Sequence, residues 1–136
     1  MKDIEYIQKE NTLYGLLVRY NIRSDSGTQF VTKANESLQL GIITRNAATD
    51  IAPHVHAEIE RKTMGTKECI IVQKGKIEVD FYSSSGLLVE TVGLSTGDAL
   101  LLVYGGHGIR FLEDSQLLEV KQGPFVATEK TFFDVH

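Results

Sequence analysis

From residue 38 onward the apolar residues of this chain fall on every second position in one run after another. The runs are Leu38, Leu40 and Ile42; Ile70 and Val72; Ile77, Val79 and Phe81; Ile109 and Phe111; and Leu118 and Val120. A period of two belongs to strands with one buried face, whereas an amphipathic helix would repeat near 3.6. Turn-forming clusters separate the runs: "KGK" at 74–76, "SSSG" at 83–86, "STGD" at 95–98, "GGHG" at 105–108 and "EDS" at 113–115. Many short strands at nearly regular spacing predict an all-β sandwich or barrel of the jelly-roll kind. The first third is less regular: "LYGLLVRYNI" at 13–22 reads as an edge strand or a helix, and "RSDSGT" at 23–28 as a loop. With no internal repeat or linker, the expectation is a single domain over 1–136, made of N-terminal strands or an arm (1–36), a barrel (37–122) and a C-terminal tail (123–136). A chain of this length buries about two thirds of its unfolded surface, which is enough for one core.

Charge and hydropathy narrow the partners. The net charge of −4 carries no long run of either sign, which argues against a nucleic-acid or membrane-surface footprint. The longest apolar run, residues 99–104, is far too short to span a bilayer, and the opening "MKDIEYIQKEN" lacks the apolar stretch of a secretory signal. A single cysteine, Cys69, leaves no internal disulfide. These features predict a cytoplasmic protein. The apolar "LYGLLVRY" could pair an exposed edge with a second copy, which predicts a homodimer.

The chemistry-bearing residues cluster in "PHVHAEIERKTMGTKECIIVQKG" at 53–75. In a strand, His54 and His56 would share a face and present two imidazoles to one ion. Glu68 opens the run "ECIIVQ" in phase with Ile70 and Val72, so its carboxylate is expected to face the interior, where it needs a partner. His107 stands in phase with Ile109 and Phe111 and is expected to face inward too. Cys69 has the opposite phase and reads as a packed residue. Tyr104, Glu58 and Glu60 are candidate acids or bases on loops. Arg110 is expected to point outward, and Arg45 is open between an anion clamp and a solvated charge. His136, the last residue, is expected to be disordered.

The pattern HxH, glutamate, then glycine seven residues on, followed by "GDALLLVYGGHGIRF" with Gly97 and His107, resembles the two motifs of the cupin superfamily over about residues 40–122. That resemblance implies a double-stranded β-helix (jelly-roll, cupin) barrel in which His54, His56, Glu68 and His107 hold a divalent transition metal: Fe, Mn, Ni or Zn. Two departures stand out. Eleven residues separate His56 from Glu68, far more than the family's usual short gap, so Glu60 is a rival ligand. The proline usual in the second motif is replaced by Leu102 or Val103. The tail "EVKQGPF" is similar to the WbuC-type cupin-fold metalloproteins, associated with bacterial polysaccharide biosynthesis. The implied function is a small metal-dependent isomerase, epimerase or oxygenase acting on a sugar-derived or oxo-acid metabolite. The alternative is a non-catalytic cupin that binds a small ligand or serves as an accessory subunit.

Overall fold

The computed structural model describes residues 4–134; His136 lies outside them. The described residues form ten strands: β1 (Ile4–Lys9), β2 (Thr12–Val18), β3 (Gly27–Phe30), β4 (Gly41–Thr44), β5 (Glu68–Lys74), β6 (Lys76–Tyr82), β7 (Leu88–Ser95), β8 (Ala99–Leu102), β9 (Gly106–Phe111) and β10 (Gln116–Lys121). The chain is all-β, as the period of two predicts. The strands pair antiparallel in three sheets, β1-β2-β8-β5-β10, β7-β6-β9 and the hairpin β3-β4, and do not close into one barrel. Among the described residues no helix is long and apolar enough to cross a membrane.

The five-stranded and three-stranded sheets share the main core. Ile70 and Val72 of β5 and Leu100 and Leu102 of β8 pack with Ile77, Val79 and Phe81 of β6 and Leu94 of β7. A second apolar layer covers the other face of the larger sheet. There Ile4, Leu16, Cys69 and Leu101 meet Ile22, Val31, Leu38, Leu40 and Ile42. A sheet buried on both faces needs apolar residues at consecutive positions. This is why "LYGLLV" and "ALLL" show little alternation, and why the first of them is ambiguous in sequence.

Several expectations are corrected here. The segment at 13–22 is neither a helix nor an edge: β2 lies between β1 and β8, so its backbone groups are taken and it cannot pair with a second copy. Gly27 and Thr28, expected in a loop, belong to β3. Leu38 and Leu40 precede β4 and serve as packing against the outer layer. In β10 the phase is shifted by one. Leu117, Glu119 and Lys121 stand opposite Val72, Ile70 and Glu68, and cross-strand partners project to one face. Leu118 and Val120 therefore face away from the main core, 47% and 48% exposed.

Two local devices fix the chain path. Gly75 alone turns the chain from β5 to β6, with φ at +97° and a Cβ position occupied by the Ser115 side chain, so both backbone and space require glycine. Asp98, 5% exposed, accepts from the Tyr20 amide at 2.8 Å, the Ser95 amide at 2.9 Å and Arg19 Nη1 at 3.1 Å. One buried carboxylate thus joins the chain just after β2 to the β7–β8 turn, its charge met by three donors.

Candidate functional site

A cleft of about 730 Å³ lies at the end of the main core, within the size range of small-ligand sites. β5 contributes Glu68 and Ile70, β9 contributes residues 106–109, β10 contributes Leu117 and Glu119, and the chain after β10 contributes residues 129–133. Glu68 is there because β5 alternates: Ile70 and Val72 point into the core, and the same phase carries Glu68, 8% exposed, to its rim. His107 stands on β9 opposite Phe81 of β6, with Ile109 opposite Val79, but the expected inward phase holds only in part: His107 itself is exposed and Phe111 is 58% exposed.

Glu68 Oε2 and His107 Nε2 meet at 3.3 Å. The imidazole hydrogen-bonds the carboxylate and holds Glu68 below the ordinary carboxyl range; burial opposes this, while Glu119 and Lys121 act in the same direction as His107. Lys121 stands directly opposite Glu68 in the β5–β10 ladder, and its Nζ donates to Glu129 Oε1 at 3.0 Å. That contact raises the Lys121 pKa and lowers that of Glu129. The cleft lining therefore combines polar side chains, Glu68, His107, Glu119 and Glu129, with apolar ones, Ile70, Ile109, Tyr82 and Phe133.

The two halves of the expected metal set lie apart. His54 and His56 do stand together, ring centroids 5.1 Å apart, but on an exposed stretch with no strand or helix from residue 45 to residue 67, not on a strand. His54 Nδ1 is 2.8 Å from the Ala52 carbonyl oxygen. The physical reason is that Val55 and Met64 find no core, at 91% and 95% exposed, Pro53 removes an amide donor, and no neighbouring strand pairs with the segment. Neither histidine lines the cleft. Among the described residues no three of His, Cys, Asp and Glu gather in a group able to hold a metal ion. As folded, the quartet does not fit a shared ion.

The other candidates are also outside the cleft. Glu58 and Glu60 are exposed on the same irregular stretch, and Tyr104, 53% exposed, packs on Tyr14 with ring centroids 5.7 Å apart. Arg110 points outward to Asp80 at 2.8 Å. Arg45 donates to the Thr44 carbonyl and to Thr28 Oγ1, so its donors are used within the β3–β4 hairpin. Cys69 is buried in the outer layer, and burial pushes its thiol pKa up. Sequence reasoning missed Glu119, Lys121, Glu129 and Phe133. The signal for the first two was present in "QLLEVK", where the phase of Leu117 carries them.

Comparison with protein-family models, with curated proteins and with solved structures finds no match. The resemblance to the cupin superfamily rests on the motif residues alone.

Proposed function

We propose that this protein is a cupin-like double-stranded β-helix that binds a small organic molecule in the Glu68–His107 cleft and moves a proton on it. The observation that carries this reading is the carboxylate–imidazole contact in the wall of a ligand-sized cleft. Glu68, kept ionised, accepts from the ring and orients it. The other ring nitrogen of His107 takes a proton from a carbon beside a carbonyl, leaving an enolate, and returns it either to the neighbouring carbon or to the opposite face of the same carbon. This is isomerase or epimerase chemistry, suited to a sugar-derived or oxo-acid metabolite, and the tail resemblance favours a setting in polysaccharide biosynthesis. The test is proton exchange. Nucleotide sugars and keto acids are incubated with the protein in deuterated water and followed by NMR, with His107→Gln and Glu68→Gln as controls. Exchange lost in both variants supports the reading; saturable binding without exchange favours the non-catalytic binder or accessory subunit, and no binding at all removes both.

A second reading is the metal site. It is favoured by one observation: the stretch that carries His54 and His56 runs directly into Glu68, and its Thr66 lines the cleft and bonds Glu129. In this reading the stretch folds inward and adds both imidazoles to Glu68 and His107 around Fe, Mn, Ni or Zn. Calorimetric titration with each ion decides it. Binding abolished by His54→Ala supports the site, and binding indifferent to that change refutes it.

The proposed homodimer would use an exposed sheet edge, β1 or β10, since β2 is internal. Sedimentation that gives only monomer at micromolar concentration counts against it.

A further inference from the structure

The accessible surface of the chain is 9978 Å². A compact monomer of 15.1 kDa exposes about 7,100 Å², which leaves a surplus of roughly 2,900 Å². A standard stable interface covers about 800 Å² of each partner, so the surplus is large enough to hold one. Two irregular segments are exposed at every residue, 45–66 and 123–134. The second is fastened to both sheets, through Glu129 to Lys121 and Thr66 and through Phe133 to Tyr82. The first is tied at its ends, by Arg45 to Thr28 and by Lys67 to Glu36 and Gln122. Between those ties, among the described residues, residues 50–65 hydrogen-bond only within themselves. Ile51, Val55, Ile59 and Met64 are each more than half exposed there.

A matching uncovered surface lies on β10. Leu101 of β8, Cys69 of β5 and Val120 of β10 stand in line across the larger sheet, with Leu118 beside Ile71. The outer layer covers Leu101 and Cys69, but Val120 and Leu118 remain about half exposed. β10 is also the last strand of its sheet, so one side of its backbone is free to pair.

We propose that residues 54–60 form an arm that adds as a strand to the free edge of β10 in a second copy of this chain. Val55, Ala57 and Ile59 alternate and would lie beside Leu118 and Val120. The alternate residues His54, His56 and Glu58 then turn to the side of Glu119 and Lys121, polar against polar. The arm does not use its own β10, because residues 61–63 lie beside the loop at 34–39. Two such exchanges close a two-fold pair.

This rests on the homodimer proposed above, and sedimentation equilibrium of the full chain separates the two. The parent should sediment at twice the chain mass at micromolar concentration. Val55→Asp with Ile59→Asp, and separately Leu118→Asp with Val120→Asp, should return it to a single chain; all four residues are exposed in one copy, so the fold does not depend on them. Tyr6→Asp, on the other free edge at β1, should leave the dimer intact. A monomeric parent overturns both the arm and the homodimer. A dimer that survives either double substitution, or that Tyr6→Asp dissociates, overturns the arm and leaves the homodimer standing.

Discussion

Glu68 on β5 and His107 on β9 come from different sheets and meet with 3.3 Å between Oε2 and Nε2. Two strands that share no ladder are thus linked by one polar contact at the open end of the core. The imidazole favours the charged form of Glu68 and lowers its pKa from the ordinary value of 4.5.

That pairing sets an acid dependence. A carboxyl with a depressed pKa in the folded chain binds its proton more readily in the unfolded one. Its contribution to stability is therefore full above the unfolded value and is lost as pH falls through the folded value. Urea unfolding followed from neutral pH into the acid range should show this loss in the parent and less of it in Glu68→Gln. Identical slopes in the two proteins would refute the pairing.

Asp98→Ala should destabilise the fold by about 2–3 kcal/mol, because it strips the partner from two backbone amides and from Arg19 at a buried position. The urea midpoint should fall with little change in the slope of the transition. A midpoint within error of the parent would show that water replaces the carboxylate.

Gly75→Ala should cost about 1–3 kcal/mol, since alanine at positive φ is strained and its Cβ meets Ser115. Gly93→Ala, at a position with open space for a Cβ, is the control. Equal thermal midpoints for the two variants would contradict the account of the β5–β6 turn.

Cys69 should resist thiol reagents in the native protein and react at once in denaturant, because burial both shields the thiol and raises its pKa. Fast labelling of the folded chain would mean that the outer apolar layer opens.

The sequence makes the central half of the site legible. Glu68 shares a phase with the buried Ile70 and Val72, so alternation alone carries it inward, whereas His107, in phase with the partly buried Ile109, reaches Glu68 from an exposed position. Alternation fails where another part of the chain decides. His54 and His56 obey the alternation of a strand, but a strand needs a paired neighbour, and residues 45–67 have none. In β10 two apolar residues, Leu118 and Val120, favour the wrong phase; the ladder with β5 selects the other, because Lys121 then lies opposite Glu68. Phe133 packs over Gly86 and Gly106, positions far from it in sequence, and nothing local to the tail announces it.

The buried Asp98 junction and the cleft share β5 without sharing residues. The Val72 amide and carbonyl bond the main chain of Asp98 and Gly97, four residues along from Glu68, which is about 13 Å of strand. Changes separated by more than about 10 Å add almost independently. The molecule thus offers separate handles to an engineer: a combinatorial library at Glu119, Thr131 and Phe133 can search for new ligand preferences while the fastening at the far end keeps the scaffold intact.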